Sequence, residues 1–178
     1  MPSPPEARNA GVMRRAAIAL GANLGDRRAT LERAVELIAA EIGPVAARSR
    51  WLETPALIHP DDPATSYPSF LNGVVVARSD AEPETILARL HGIEARLGRD
   101  RSKETARWRP RLVDLDLVAV EDVVLDGPGL RLPHPEMQRR DFVLEPLAEV
   151  WPDWRHPILN VTARELLARL HQETSEGS

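Results

Sequence analysis

Two aspartates, Asp114 and Asp116, are the side chains whose type and spacing point most directly to chemistry. They lie in an apolar stretch, residues 112–120, that we predict to be a strand, so both point to one face with their Cα atoms about 7 Å apart. Burial of two carboxylates in a core strand is unfavourable unless cations compensate them. Two divalent cations about 3.5–4 Å apart, as in two-metal phosphoryl-transfer sites, would do so. The alternative is a solvated sheet face on which arginines pair with the carboxylates.

A strongly basic segment precedes this strand. From Arg96 to Arg111 there are seven basic residues and two acidic ones, on a chain whose net charge is −4. Guanidinium groups bind phosphate oxygens bidentately, so the segment suits an anionic substrate. Such a run is usually a solvated face, but its position directly before the two aspartates favours a mobile lid over a polyphosphate.

Composition limits the other classes of protein. The chain has 178 residues, enough for one domain with a sizeable core, and no cysteine, which excludes disulfide scaffolds, thiolate zinc sites and a cysteine nucleophile. The negative charge and 4% aromatic content argue against nucleic-acid binding. No apolar run approaches the ~20 residues of a membrane span. We expect a soluble, cytoplasmic monomer with a disordered leader over residues 1–13, a single domain over 14–172 and a disordered tail over 173–178.

The hydrophobic pattern predicts the elements that position these side chains. Strands are predicted over residues 16–20, 45–52, 70–77 and 112–120, and amphipathic helices over 26–42 and 83–97. This β-α-β-β-α-β order implies an antiparallel sheet with two helices on one face. A hairpin over 123–132 and helical segments over 142–149 and 161–171 follow. The predicted fold class is therefore α+β, with a ferredoxin-like βαββαβ core, a C-terminal hairpin and a helical extension.

Three further features could belong to a site. Residues 54–68 form a long connection with four prolines, and such loops are usually functional or disordered. Asn72 interrupts the strongest predicted strand and needs hydrogen-bond partners, either structural ones or a ligand. The turn over residues 21–26 could bring backbone N–H groups close to an anion, or it could be an ordinary tight turn, because it has no dinucleotide-binding or P-loop motif.

In this order and spacing, the motifs resemble the 6-hydroxymethyl-7,8-dihydropterin pyrophosphokinase family of the folate pathway. The resemblance spans about residues 16–171 and rests on residues 19–26, 53–56 and 70–72, on Arg107-Trp108 and Pro110-Arg111 followed by Asp114-Leu115-Asp116, and on Pro133-His134-Pro135 with Arg140 and Phe142. It implies that ATP donates its β,γ-pyrophosphoryl group to the primary hydroxyl of the pterin, giving AMP and the pterin diphosphate. Such a transfer asks mainly for positioning and charge neutralisation.

The resemblance also implies residue roles. Asp114 and Asp116 would hold two Mg²⁺ ions on ATP, the co-substrate, and Asp116 would help to orient or deprotonate the hydroxyl. Arg99 and Arg111 would also be catalytic, gripping the phosphates. The ATP-binding residues implied are Glu94, Arg101, Arg107, Trp108, Arg111, His134 and Arg140. The pterin-binding residues implied are Thr54, Pro55, Ala56, Leu57, Phe70, Asn72 and Phe142, with the two phenylalanines on either side of the ring and Asn72 bonded to its amide edge.

Taken singly, several of these residues have simpler interpretations. Glu94 could be a surface partner on its helix, His134 a capped turn histidine, and Trp108 and both phenylalanines plain core. The chain also departs from the family at three positions: Arg109 and Ile58 stand where Gly is expected, and Leu112 where a small Thr or Ser is common. These departures bear on loop geometry and rate more than on the reaction.

Two other functions are compatible with parts of the pattern. A catalytically weak paralogue that binds pterin and nucleotide would keep the pocket without useful turnover, but the retained aspartates and arginines argue against it. An RNA-binding domain of the same element order would need exposed aromatics on the central strands, where this chain has acids.

Overall fold

The helices and strands follow the predicted order, except that one predicted strand is divided into two and several elements are longer than predicted. The computed structural model describes residues 12–56, 66–99 and 111–176. Within them the chain forms strand β1 (Arg14–Ala22), helix α1 (Arg27–Glu41), strands β2 (Val45–Arg48), β3 (Leu52–Thr54) and β4 (Phe70–Ser79), helix α2 (Pro83–Arg96), strands β5 (Asp114–Val120), β6 (Leu125–Gly127) and β7 (Leu130–Leu132), a 3-10 turn (Met137–Arg139), and helices α3 (Asp141–Val150) and α4 (Ala163–Glu176).

The main sheet is antiparallel and has five strands. Its order is β2-β4-β1-β5, and β3 pairs with β4. The strand predicted over residues 45–52 is divided into β2 and β3. Between them Ser49 turns its hydroxyl inward, where it accepts the Val74 N–H at 3.0 Å and donates to the Arg50 carbonyl at 2.8 Å. These side-chain bonds to the backbone compete with regular strand pairing, which explains the break.

The sheet is covered on both faces. Helices α1 and α2 pack on the face to which Ile18 and Leu20 point, with Leu31, Ile38, Ile86 and Leu90 in the same buried cluster. Helices α3 and α4 pack on the opposite face, against Ala17, Val74 and Val76. The two helices expected on one face and the helical extension expected to pack onto the core are both present.

The helix ends match the capping residues read from the sequence. The side chain of Asp26 accepts the Ala29 N–H at 3.0 Å and caps α1. Pro83 is the first residue of α2, and Gly98, with φ of +94°, follows its last turn. A left-handed glycine after a helix lets the chain fold back on the last turn, and the Arg99 N–H accordingly donates to the Glu94 carbonyl at 3.0 Å. The end of α2 therefore directs Arg99 toward the sheet.

The C-terminal elements differ in length from the prediction. The hairpin begins at Leu125 rather than at Val123, whose N–H instead closes a tight turn onto the Val120 carbonyl. Helix α4 runs to Glu176, so residues 173–176, expected to belong to a disordered tail, are helical. Among the described residues, no helix is both long enough and apolar enough to span a bilayer.

His156 gives the fold a pH dependence that can be tested. Its ring is buried, and Nδ1 accepts the N–H groups of Ile158 and Leu159, both at 3.3 Å, in the bend before α4. Burial lowers the pKa of His156 below its ordinary value. Because the unfolded chain then binds the proton more readily, this contribution to stability is complete above about pH 6.5 and is lost as the pH falls below it.

We therefore expect the free energy of unfolding to decrease less between pH 7.5 and 5 in His156→Asn, whose amide oxygen can replace Nδ1 as acceptor, than in the wild type. Urea unfolding at each pH measures the difference. Parallel pH profiles for the two proteins would show that His156 does not titrate with unfolding.

Candidate functional site

Three of the predicted site residues, Asn72, Asp114 and Asp116, lie where β1, β4 and β5 run side by side. Gly21 of β1 pairs with Asn72 on one side and with Asp114 on the other. In the next row on the same face, Ala19 lies between Val74 and Asp116. The neighbouring residues Leu115 and Leu117 belong to the opposite core, so both aspartates share the face covered by α3 and α4, as the alternation predicted.

The middle strand leaves this part of the face almost without side chains. A Cβ at Gly21 would lie 2.8 Å from Oδ1 of Asn72, and Ala19 contributes only a methyl group. Between Asn72 and the aspartates the middle strand therefore carries only these two small residues, and we call this row of Gly21 and Ala19 the trough. Sequence reasoning placed Gly21 in a motif but did not identify this trough, because it depends on the pairing of three strands.

Asn72 lies on β4, at one side of the trough. Its side chain is buried, and Nδ2 donates to the hydroxyl of Thr54 at 2.7 Å, while Oδ1 points toward Gly21. Thr54 also pairs across the strands with Phe70. A cavity of about 450 Å³ lies next to these residues and is lined by Glu53, Thr54, Pro55, Ala56, Ser66, Tyr67 and Ser69.

Phe142 approaches this face from the helical layer. It lies in the first turn of α3, which packs against β4. Its ring is partly buried, and the guanidinium of Arg140 lies 5.9 Å from the ring centroid. Phe70 and Phe142 thus belong to the same side of the sheet, one on the strand and the other on the helix that covers it.

Arginines hold both carboxylate oxygens of Asp114. Nη1 of Arg99 lies 2.5 Å from Oδ1, and Nη1 of Arg111 lies 3.0 Å from Oδ2. Arg99 is also 2.6 Å from Oε1 of Glu94, and both partners are almost fully buried, with side chains 4% and 1% exposed. Asp114 is therefore paired with arginines in this structure, as one interpretation of the sequence expected. Its side chain is partly exposed, at 27%, and borders the buried pair of Arg99 and Glu94.

Glu94 is not the surface partner that its position on a helix suggested. Besides Arg99, its Oε1 accepts the backbone N–H of Leu115 at 2.8 Å, which ties the end of α2 to β5. Burial of a carboxylate requires such partners. The sequence showed Glu94 on the same helix as the apolar stripe but not that α2 turns it toward β5.

Asp116 differs from Asp114 in its surroundings. No side chain of the described residues is hydrogen-bonded to or ion-paired with it. Burial, followed by the negative charge of Asp114, raises the pKa of Asp116 to about 6, with Glu94 adding to the rise and Arg140 and Arg99 opposing it. Within the part of the chain that the structure describes, the charge of Asp116 is thus incompletely compensated, and a bound cation would compensate it.

The donor set fits Mg²⁺ held jointly with a substrate. Mg²⁺ is usually bound by one or two carboxylates together with phosphate oxygens and water, rather than by a cage of protein ligands. Asp114 and Asp116 supply two carboxylates on one face. Among the described residues there is no group of three or more acidic, histidine or cysteine side chains that could form such a cage.

His134 and Arg140 lie near the aspartates. The positive charge of Arg140 opposes the rise in the pKa of Asp116, and the negative charge of Asp114 acts on His134. Burial, followed by the positive charge of Arg140, lowers the pKa of His134, so the ring is neutral at pH 7. Nδ1 of His134 accepts the Glu136 N–H at 3.2 Å, the turn-capping role considered from the sequence. Its backbone N–H donates to Val118 of β5, which fixes the turn beside the aspartate strand.

Some predicted residues cannot be placed. Arg101, Arg107, Trp108 and Leu57 lie outside the described residues, as do the family departures Arg109 and Ile58. The third departure, Leu112, is 37% exposed. Its methyl groups lie 3.2 Å and 3.8 Å from where Cβ atoms would stand at Gly98 and Gly25, so it packs between two turns next to the arginines.

Comparison with known proteins identifies the family. The family described as 7,8-dihydro-6-hydroxymethylpterin-pyrophosphokinase (HPPK) matches residues 17–152. A 2-amino-4-hydroxy-6-hydroxymethyldihydropteridine pyrophosphokinase of Methylorubrum extorquens is 41% identical over 159 residues, which cover 89% of this chain and 94% of that protein. The protein of the same name from Porphyromonas gingivalis is 38% identical over 142 residues, 79% of this chain and 92% of its own.

A solved structure, Plasmodium falciparum HPPK-DHPS wild type with pterin and p-hydroxybenzoate, has the same fold. Its TM-score is 0.72 at 16% identity, and the match covers 96% of this chain and 44% of that chain. This chain therefore spans less than half the length of that protein. The similarity in fold agrees with the match in sequence, and the chain belongs to the 7,8-dihydro-6-hydroxymethylpterin-pyrophosphokinase family.

Proposed function

We propose that this protein transfers the pyrophosphoryl group of ATP to the hydroxymethyl group of 6-hydroxymethyl-7,8-dihydropterin, giving AMP and the pterin diphosphate in folate biosynthesis. The observation that carries the proposal is the placement of Asp114 and Asp116 on the same face as Asn72, separated by Gly21 and Ala19. Relatives that align along most of their length carry the corresponding pyrophosphokinase name.

In this proposal Asp114 and Asp116 hold two Mg²⁺ ions. When bound, the ions neutralise phosphate charge and favour in-line transfer. Arg99 and Arg111, now paired with Asp114, are in position to exchange that carboxylate for phosphate oxygens. The neutral ring of His134 and the guanidinium of Arg140 lie along the nucleotide, and Glu94 acts through Arg99.

The pterin lies, in this proposal, over the trough next to Asn72. Because Nδ2 of Asn72 is already bonded to Thr54, Oδ1 is the atom available to accept an N–H of the heterocycle. Phe70 and Phe142 contact its faces, and Thr54, Pro55 and Ala56 border it through the adjoining cavity. A buried acceptor of this kind discriminates against analogues without the matching donor.

Other expectations belong to the same proposal: a ferredoxin-like arrangement of β1, β2/β3, β4 and β5 with α1 and α2, a cytoplasmic location and a monomer. The order β2-β4-β1-β5 supports the first of these. The catalytically weak paralogue is not favoured, since both aspartates and both arginines next to them are present.

The proposed function is tested by measuring AMP formation from ATP with and without the dihydropterin. We expect stoichiometric AMP and pterin diphosphate only when both substrates and Mg²⁺ are present, and loss of the reaction when EDTA removes the metal. Calorimetry with a non-hydrolysable ATP analogue separates the alternative. Binding of both ligands without AMP formation at high enzyme concentration would support the weak paralogue.

Gly21→Ala should weaken pterin binding while leaving ATP binding nearly unchanged. The new methyl group would stand 2.8 Å from Oδ1 of Asn72, too close for the present side-chain position, so the amide must move. Because Thr54 restrains it, we expect KM for the pterin to rise about tenfold, the effect of losing about 1.4 kcal/mol of binding, with KM for ATP changed less than twofold.

Gly92→Ala is the matched control for this substitution. A Cβ at Gly92 in α2 meets no atom within 4 Å. Alanine in a helix interior is favoured by about 0.5–1 kcal/mol over glycine, so stability should rise while both KM values stay unchanged. Equal pterin KM values for Gly21→Ala and the wild type would mean that Asn72 does not bind the substrate.

A further inference from the structure

Asn23 connects segments on both sides of the central strand. It is 2% exposed and directly follows β1. Its Oδ1 accepts the Arg111 N–H at 2.7 Å, and its own N–H donates to the Arg111 carbonyl at 3.2 Å. On the other side, its Nδ2 donates to the Pro68 carbonyl at 3.2 Å. One side chain therefore bonds to the segment before β5 and to the segment before β4.

This arrangement extends lateral bonding beyond the end of the sheet. The ladder of β1 reaches Ala22 beside Leu71 on β4, and Gly21 beside Asp114 on β5. At the next position the chain turns toward α1, and the amide of Asn23 supplies an acceptor on one side and a donor on the other. A neutral amide is suited to this place, because a carboxylate has no donor and an aliphatic side chain has neither.

A second residue of the same turn contacts only one of the two sides. Nη1 of Arg27 donates to the Ser69 carbonyl at 2.7 Å and to its hydroxyl at 3.0 Å, and it lies 3.0 Å from Oε1 of Glu53. Ser69 and Glu53 flank Phe70 and Thr54. Within the described ranges, Arg27 thus bonds to the β3–β4 side of the site and not to Arg111, which makes it a natural comparison for Asn23.

We propose that Asn23 is a positioning residue that couples the nucleotide side of the site to the pterin side. The inference rests on the proposed function, in which Arg111 and Asp114 serve the nucleotide and Phe70 and Asn72 serve the pterin. Ordering of Arg111 by a nucleotide orders Asn23 through two hydrogen bonds. Asn23 then holds Pro68, two residues before Phe70, so the second ligand meets a partly ordered site.

The test uses Asn23→Asp and measures coupling rather than activity alone. Aspartate keeps an acceptor for the Arg111 N–H, but it replaces the donor toward Pro68 with an oxygen facing an oxygen. Calorimetry gives the Kd of a non-hydrolysable ATP analogue with Mg²⁺, and the Kd of the dihydropterin before and after saturation with that analogue. For the wild type we expect the nucleotide to tighten pterin binding at least about fivefold, within the usual range of coupling between sites.

For Asn23→Asp we expect the nucleotide Kd to stay within about threefold of the wild type and the tightening of pterin binding to fall below about twofold. Asn23→Ser, which is neutral, should show the same loss and guards against an effect of the new charge on folding. Arg27→Met should weaken pterin binding equally with and without nucleotide, so that its coupling ratio stays at the wild-type value. Asn160→Asp, at an exposed bend, controls for the charge change.

The outcomes separate this inference from the function on which it rests. Wild-type coupling in Asn23→Asp and Asn23→Ser, or an equal loss in Arg27→Met, overturns the role of Asn23 and leaves the pyrophosphokinase function intact. If the wild type forms AMP but its nucleotide does not tighten pterin binding, the role of Asn23 is likewise overturned and the pyrophosphokinase function stands. A wild type that forms no AMP overturns the proposed function, and the coupling with it.

Discussion

Asp116→Asn should lower kcat for AMP formation by about 10³-fold or more, the loss of roughly 4 kcal/mol of transition-state stabilisation. The amide keeps the shape of the side chain but removes the charge that, in the proposed function, holds a cation against the phosphates. Its main-chain pairing with Ala19 is unaffected, so the fold should be retained. Steady-state assays at saturating ATP and Mg²⁺ measure the loss, and circular dichroism confirms the fold.

Asp126→Asn provides the control for this prediction. Asp126 lies on the small hairpin, where its ion pair with Arg131 is largely exposed, with side chains 82% and 65% accessible. An exposed pair contributes little, so we expect unchanged kcat and a change in stability within ~0.5 kcal/mol. If Asp116→Asn kept activity near that of Asp126→Asn, the assignment of Asp116 to the metal would be wrong.

Asp116→Asn should also make the metal-free protein more stable. A folded-state pKa raised to about 6 means that the charged carboxylate of Asp116 is disfavoured in the fold at neutral pH, next to Asp114 and Glu94. The neutral amide removes that cost. For a pKa raised from 3.8 to about 6, the cost is about 3 kcal/mol at pH 7.5, and it decreases as the pH falls from about 6 toward 3.8. Thermal unfolding in EDTA at pH 7.5 and at about pH 4 should show a much larger gain at the higher pH. Such an exchange of stability for activity is expected where charges are concentrated for function.

The parts of the fold set by local pattern could be predicted from the sequence. The alternation around Asp114 and Asp116 placed them on one face, and the order of the elements placed α1 and α2 together on one face of the sheet. That this is the face opposite the aspartates is known from the structure. Asp26, Pro83 and Gly98 marked helix ends because their backbone preferences act locally. The approximate positions of the site residues followed from these elements together with the family resemblance.

The contacts that depend on register could not be predicted. That Gly21 lies between Asn72 and Asp114 depends on how three strands align, and no local pattern records this. The burial of Glu94 depends on the direction in which α2 meets β5. Asn23 carried the same signal as Asn72, a polar amide beside an apolar strand, but its partners lie 45 and 88 residues away along the chain.

The second large effect is expected for Glu94→Ala, which should destabilise the protein by about 3–5 kcal/mol. The substitution removes the acceptor for the Leu115 N–H and one of the carboxylates that neutralise Arg99, in surroundings that are almost fully buried. A buried guanidinium that loses a partner is much costlier than an exposed one. For a chain of this length the midpoint of thermal unfolding should fall by about 6–20 °C. Because Arg99 also reaches Asp114, kcat should decrease as its guanidinium shifts.

Two variants distinguish a buried network from ordinary helix ion pairing. Glu94→Gln retains an oxygen that can accept the Leu115 N–H and loses only the charge, so its stability should lie between those of the wild type and Glu94→Ala. Glu36→Ala removes an ion pair with Arg33 whose side chains are 64% and 60% exposed, and should change stability by less than ~0.5 kcal/mol. Were Glu94→Ala no less stable than Glu36→Ala, the hydrogen bonds that Glu94 accepts from Arg99 and from Leu115 of β5 would not hold α2 to the aspartate strand. The predicted order of stability, with Glu36→Ala above Glu94→Gln and Glu94→Ala lowest, follows from burial, because all three substitutions remove the same carboxylate charge.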